Sequence, residues 1–385
     1  MSALFPTYQK WEIEPVNANG SWLTDQDGKR YLDFTSGIGV LNLGHCYLSV
    51  KQAVEQQLEK FWHTSNLFQN KGQEEAAGLL AKATGLNRVF FCNSGAEANE
   101  AAIKLARKAT GKSKIVTFHQ SFHGRTFATM AATGQEKVRT GYGRMLEEFE
   151  YSTFNDSVQL AEIVDENTAA VMLEMVQGEG GIHVANQEFL NTIKEVCARK
   201  GALVIVDEIQ TGIGRTGKPF AFQLFDFQPD IITVAKGLGN GLPIGAVIGK
   251  EDLAAHFGPG SHGSTFGGNP VSIAAAKAVL QQILDADFSA EVSEKGQYFL
   301  NKLKEELQYD PSVKEIRGVG LMIGIELKEE AQPLLEKLQQ EGLLTLTAGP
   351  NVLRLLPPLT AEKSEFSLAA EKIAKAIKTK TVIQG

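Results

Sequence analysis

Cysteine is scarce in this chain. Cys46, Cys92 and Cys197 are odd in number, far apart and without a C-x-x-C spacing, so neither a disulfide framework nor a zinc site is indicated and a reducing cytoplasm fits. Long apolar runs are missing as well, none approaching the ~18 residues that a membrane span requires. The opening MSALFPTYQKWEIEP lacks the basic flank and apolar core of a signal peptide. Positive charge is not in excess either. The 38 Lys and Arg against 45 Asp and Glu leave a net charge of −7, which removes the global electrostatic case for nucleic acid or an anionic membrane. Small metabolites are the expected partners.

What the chain does have is length, glycine and periodicity. Its 385 residues predict two or three packed units at about 150 residues each. A balance of 43% hydrophobic and 22% charged residues is that of a soluble globular enzyme. The 38 glycines exceed a background of roughly 7% and cluster in short loops, where backbone is held close to ligands. From about Arg88 to Lys250, short β-branched runs alternate with helical patterns, which predicts an α/β domain with a parallel sheet covered by helices. Strands are expected at Arg88–Cys92, Lys114–Phe118, Ala169–Val176, Ala202–Ile209, Asp230–Ala235 and Ala246–Gly249, mostly apolar throughout because both faces are buried. Ala98, Ala102, Leu105, Ala106 and Ala109 follow helical spacing, with Glu97 and Glu100 early and Lys104, Arg107 and Lys108 late. Another helix is expected over Lys51–His63, after a glycine-rich segment of short strands. Beyond about residue 275 helices and charge dominate, with Gly318–Leu327 expected as a strand and Leu334, Leu338 and Gly342 marking a helix and its stop. The expected divisions are 1–50, 51–275 and 276–385.

Four loops follow predicted strands, and in an open α/β sheet ligands bind at the strands' carboxyl ends. In NSGAEAN, Asn93–Asn99, Ser94-x-x-Glu97 is a capping box, and capping alone accounts for it. Small residues at a helix N-terminus also offer N–H groups and a positive dipole end to a phosphate. In VDEIQTGIGRTG, Asp207 closes an apolar strand and Gln210 follows in the next turn; a carboxylate there needs a cationic partner. The G-x-G-x-x-G at Gly212, Gly214 and Gly217 invites a dinucleotide and hence a nicotinamide dehydrogenase. Against that, Asp207 and Glu208 would repel a pyrophosphate, and the following KPFAF, with Pro219, is no helix to supply a dipole. Lys236 ends a strand against a glycine loop. Most lysines are solvated, but one drawn into an enclosed crevice has its pKa lowered and becomes a nucleophile toward carbonyls. SFHGRT adds Phe122, His123 and Arg125, residue types that signal little singly. Together a phosphate cradle, a carboxylate, an amine and an aromatic plate suit pyridoxal 5'-phosphate, whose aldehyde takes a lysine and whose ring nitrogen needs an anion.

On these residues the chain resembles the class III, fold type I aminotransferases over nearly its whole length. NSGAEANEAAIKLARK, SFHGRT, VQGEGG, DEIQTGIGRTGK, TVAKGLGNGLPIGAV, GSHGSTFGGNP and AGPNVLRLLPPLT occur in the family's order and approximate spacing. The resemblance implies a mostly parallel sheet in a large domain, with a smaller α+β domain built from the chain ends. It implies that Lys236 bonds the cofactor's aldehyde, Asp207 holds the pyridine nitrogen protonated and Gln210 approaches the ring's phenolic oxygen. Phe122 would stack on the ring, and Ser94, Gly95 and Ala96 would bind phosphate. Thr265 resembles a phosphate ligand donated by a neighbouring subunit, with Ser264 beside the substrate, which implies a homodimer with shared sites.

Within the class the pattern is nearest that of enzymes of arginine biosynthesis that exchange the terminal amine of N-acetylornithine with 2-oxoglutarate. Such a ping-pong cycle gives N-acetylglutamate semialdehyde and glutamate. Arg125 resembles the arginine that takes the N-acetylornithine carboxylate, for which bidentate guanidinium geometry is the physical reason. Arg354 resembles the one that takes glutamate's α-carboxylate, and Glu179 the gate that neutralises it between half-reactions. Ornithine, succinylornithine, succinyldiaminopimelate and 4-aminobutyrate are the alternative amino donors. Two departures, Met175 where many relatives have proline and HCYLSV without a histidine-proline pair, touch no reactive group.

Overall fold

Runs of β-branched and aromatic residues organise this chain, which is described by a computed structural model over residues 2–383. Three short strands come first, β1 (Pro15–Asn19), β2 (Trp22–Asp25) and β3 (Arg30–Asp33), joined antiparallel. Then follow β4 (Arg88–Cys92), β5 (Lys114–Phe118), β6 (Phe149–Ser152) and β7 (Thr168–Leu173). A small hairpin of β8 (Val176–Gln177) and β9 (His183–Val184) precedes β10 (Leu203–Asp207), β11 (Ile231–Val234) and β12 (Gly245–Gly249). The large sheet has seven strands in the order β4-β12-β11-β10-β7-β5-β6, and only β12 runs against the others. Successive residues alternate faces. Val116, Val171, Val204 and Ile232 pack into the core on one side, and Ile115, Ala170, Ile205 and Ile231 into the core on the other. That double burial is why the strands read as unbroken apolar runs.

The helix Gly95–Thr110 lies on the second face through Ala98, Ala102, Leu105 and Ala106. Ser94 caps its start, and Gly111, left-handed at φ +69, ends it. Beyond residue 300, β13 (Val313–Val319), β14 (Met322–Leu327), β16 (Leu346–Ala348) and β17 (Val352–Leu355) form a sheet in the order β13-β14-β17-β16. Between them in sequence, β15 (Leu343–Leu344) leaves that sheet and pairs parallel with β3. Among the described residues no helix is long and apolar enough to cross a membrane, and all three cysteines are free thiols.

Several expected elements differ. The run Ala169–Val176 is not one strand: β7 ends at Leu173, and the chain breaks at Glu174 and Met175 before β8. The helix expected over Lys51–His63 spans Leu48–Leu58. The edge strand β6 was not expected. A short 3₁₀ turn, Ala221–Leu224, begins inside the KPFAF stretch, too short to present a helix dipole. Gly318–Leu327 is not one strand but the turn and second arm of the β13–β14 hairpin, reversed at Gly320 with φ +56.

Gly320 is fixed by space as well as by backbone angle, since a Cβ there would lie 2.4 Å from the carbonyl carbon of Thr216. Gly320→Ala is expected to destabilise the fold by roughly 2–5 kcal/mol, a left-handed strain added to an overpacked contact. The shift of the urea midpoint at constant m-value measures it.

Candidate active site

The parallel strands β4, β5, β7, β10 and β11 all end at one edge of the sheet, and the loops after them enclose a cavity of about 410 Å³. Ser94, Gly95, Ala96, Phe122, Arg125, Glu179, Asp207, Gln210 and Lys236 all line it. Strand direction explains the convergence, because each parallel strand delivers its following loop to the same side.

Asp207 closes β10 with its carboxylate buried. Oδ2 accepts from Asn99 Nδ2 at 2.7 Å and pairs with His123 Nδ1 at 2.8 Å, and Oδ1 accepts from the Ile209 N–H at 3.0 Å. The buried partner of this group is thus the His123 imidazole, whose Nε2 has no partner among the described residues. Thr233 on β11 donates to Asn99 Oδ1 at 2.7 Å and fixes the amide's orientation. At the helix start, Ser94 Oγ accepts from the Glu97 N–H at 3.2 Å. Glu97 does not complete the expected capping box, since it accepts from the N–H of Asn93 rather than of Ser94. Gly95 and Ala96 hold the first turn of this helix at the cavity wall, where free N–H groups and the helix dipole favour an anion. A Cβ on Gly95 would sit 2.8 Å from Ile209 Cδ1, so any side chain there would have to displace Ile209.

Lys236 follows β11 at φ +43, a left-handed angle that costs a non-glycine residue on the order of 1–3 kcal/mol and is retained where a site demands it. Burial lowers its ammonium pKa. The Glu179 carboxylate opposes that, Arg354 adds to it, and Asp207 and Glu174 oppose it again. Glu174, which follows β7, is itself pushed well above the usual carboxyl range by burial and by the nearby Asp207 charge. Its oxygens accept from the Phe122 N–H at 3.2 Å and the Gly178 N–H at 3.4 Å.

Arg354, on β17, stands behind the wall. Its Nη1 donates to Glu179 Oε1 at 2.6 Å, to the Gly178 carbonyl at 2.8 Å and to Gln210 Oε1 at 3.0 Å. Burial pushes the Glu179 carboxyl up, but Arg354, with Lys236 and Gln210, leaves the group below its ordinary value. Arg125 is exposed, its guanidinium 5.6 Å from the Phe122 ring centroid. Ser264 and Thr265 are not on the cavity wall of their own chain. Ser264 Oγ accepts from Asn93 Nδ2 at 3.0 Å, and Thr265 points to solvent beside it. Asn99, Glu174 and Thr233 escaped the sequence reading. Asn99 carried a signal: it falls on the buried stripe with Ala102 and Ala106, where an amide needs a buried partner.

A model of the aminotransferase class-III family matches residues 6–377. An acetylornithine aminotransferase from Bacillus subtilis is 57% identical over 378 residues, 98% of each chain. Among solved structures, N-acetylornithine aminotransferase from Stenotrophomonas maltophilia superposes with a TM-score of 0.86 at 35% identity, covering 98% of both chains. An ornithine aminotransferase from Toxoplasma gondii, with partial occupancy of PLP at its active site, gives 0.92 at 33% identity, covering 97% of this chain and 92% of that one.

The Glu179–Arg354 pair generates a pH dependence. Because the folded carboxyl lies below 4.5, its contribution to stability is present above the unfolded value and is lost as pH falls through the folded one. Urea unfolding of wild type and Glu179→Gln is expected to separate at pH 7, and the gap is expected to close below pH 4.5. A gap that persists at acid pH refutes the ionic pairing.

Proposed function

This chain belongs to the class-III aminotransferases, and from that premise we propose that it transfers the terminal amino group of N-acetylornithine to 2-oxoglutarate. It uses pyridoxal 5'-phosphate, held in the cavity at the carboxyl edge of the large sheet. One juxtaposition carries the reading: the Lys236 amine, the Asp207 carboxylate held by His123, and a glutamate closed on an arginine meet around one space. The residues fit the cofactor, with bare backbone at Gly95 for its phosphate and a buried anion for its ring nitrogen. Bound there, pyridoxal phosphate supplies a carbonyl for amines and a ring that takes up the electron pair of a departing proton.

In this reading Asp207, fixed by His123 and Asn99, presents its carboxylate to the ring N–H, and Phe122 covers one ring face. Lys236 Nζ, whose ammonium form burial disfavours, would take the proton from the substrate carbon beside the reacting amine. Ser94, Gly95 and Ala96 hold the phosphate, and Gln210 meets the phenolic oxygen. N-acetylornithine and glutamate carry their carboxylates at different distances from the reacting nitrogen. Arg125 takes the first, while Glu179 stays on Arg354 and silences it. With glutamate, Arg125 takes the side-chain carboxylate, Glu179 leaves, and Arg354 takes the α-carboxylate.

We read residues 51–275 as the cofactor domain and 1–50 with 276–385 as the small one, supported by the pairing of β3 with β15. A cytoplasmic homodimer completes the proposal. Thr265 would reach the other subunit's phosphate, with Ser264 beside the substrate. In support, Trp62, Leu67, Phe68 and Phe266 are exposed apolar residues around that loop, and Asn66 ties the two segments by donating to the Ser264 and Gly267 carbonyls. Apolar side chains so grouped mark an interface.

Incubation with 2-oxoglutarate and a panel of donors is expected to favour N-acetylornithine over ornithine, succinylornithine and 4-aminobutyrate; preference for another donor overturns the substrate. Lys236→Ala is expected to lose nearly all turnover, and borohydride reduction of the wild type to fix cofactor on Lys236 alone. Mixed Lys236→Ala and Thr265→Ala chains are expected to regain activity once subunits exchange. No recovery despite exchange places Thr265 in its own subunit's site.

A further inference from the structure

The G-x-G-x-x-G loop remains without a role in the chemistry, and its most buried residue is Arg215. This guanidinium has no accessible surface and, among the described residues, no carboxylate partner. Nη1 donates to the Leu321 carbonyl at 3.1 Å and to the Pro357 carbonyl, and Nη2 donates to Asn42 Oδ1 at 2.8 Å. Leu321 returns the contact, its N–H donating to the Arg215 carbonyl at 3.0 Å. Asn42 is held in turn, its Nδ2 donating to the Ile213 carbonyl at 2.7 Å. Burial draws the guanidinium pKa down to about 9, which leaves it charged at neutral pH.

The glycines make this approach possible. A Cβ on Gly214 would lie 2.9 Å from Leu359 Cδ1, and one on Gly217 would lie 2.4 Å from Ser293 Oγ. The loop is thus a socket for C-terminal elements. Leu321 and Pro357 are also adjacent ends of one ladder, since Ile323 faces Leu355 and Gly324 faces Arg354 across β14 and β17. Arg215 therefore staples both strands three residues from Arg354, on a loop that begins just past Asp207 and Gln210. Burying a guanidinium among neutral carbonyls is costly, and its planar fork of donors is what lets it reach three separate segments.

We infer that Arg215 is a positioning residue that locks the C-terminal sheet against the cofactor loop and so sets where Arg354 presents its guanidinium. The inference rests on the reading of Arg354 as the α-carboxylate site. It assigns Arg215 an effect on one half-reaction more than the other. N-acetylornithine is held by Arg125, on a different loop, whereas glutamate needs Arg354 at the correct distance from Lys236.

Single-turnover rates of the holoenzyme with each donor test this in Arg215→Lys and Arg215→Gln, with the melting temperature and bound cofactor followed in parallel. In Arg215→Gln the apparent Kd for glutamate is expected to rise about 10-fold with the limiting rate nearly kept, while that for N-acetylornithine changes less than about 3-fold; Arg215→Lys is expected to recover part of the loss. Asn42→Ala, which removes one acceptor and leaves Arg215 in place, gives the same split on a smaller scale if Arg215→Gln does not fold. Equal weakening for both donors, or no change, makes Arg215 a structural residue only and overturns the inference. Arg354→Lys is the control: a normal glutamate half-reaction in that variant sinks the reading of Arg354 itself, whatever Arg215 does.

Discussion

A carboxylate buried at the end of a central strand is the constraint around which the rest is arranged. Asp207 cannot lie out of water unless donors replace its hydration. Three different segments supply them: the Gly95–Thr110 helix through Asn99, the loop after β5 through His123, and its own turn through the Ile209 N–H. Two of these donors are held in turn, Asn99 by Thr233 and the His123 backbone by Thr133 Oγ1. A charge that needs three partners thus registers three loops against one another, and those same loops carry Ser94, Phe122 and Gln210. Placing the anion and shaping the cavity are one structural event.

The charges around that anion are graded. Glu208, next in sequence but facing the other core, is pushed up to about 7 by burial, against hydrogen bonds from Thr211 and the Phe222 N–H. Glu174 is pushed up by burial and by Asp207, whereas Glu179 is drawn down against its burial by Arg354 together with Lys236 and Gln210. Carboxyls packed this closely cannot all ionise. Glu179, with a guanidinium beside it, is drawn down, whereas burial pushes Glu174 and Glu208 up.

The large sheet was legible because its strands are buried on both faces, and Arg88–Cys92 and Lys114–Phe118 end where their apolar runs end. Where a run continued past the strand, as through Glu174 and Met175, the break came from a carboxyl turning to cap two loops, a tertiary event with no local pattern. Phe149–Ser152 was missed because an edge strand is only half covered. The reversal at Gly320 was hidden in a β-rich string, and what forces it is the distant Thr216 backbone. In the site, the residues of the four loops were legible from their place after strands. Thr233 and Glu174 were not, because they act through partners far away in sequence, and Asn99 showed only as an amide on a buried helical stripe. The family resemblance, not periodicity, brought Arg354, Glu179 and Thr265 into view.

The pairing of β3 with β15 has a consequence in time. Leu32 faces Leu343, so during synthesis β3 waits for a partner made 311 residues later. At about 5–20 residues per second that wait is roughly 15–60 s. The seven-stranded sheet has all its strands by Gly249, while the core on one of its faces also takes in residues from Ile273 onward. The strands that lead to Asp207 and Lys236 are therefore translated before the arginine on β17 exists. Through that interval the orphaned N-terminal strands keep an unsatisfied edge, which is where a chaperone or a neighbouring nascent chain finds this protein most open to mispairing.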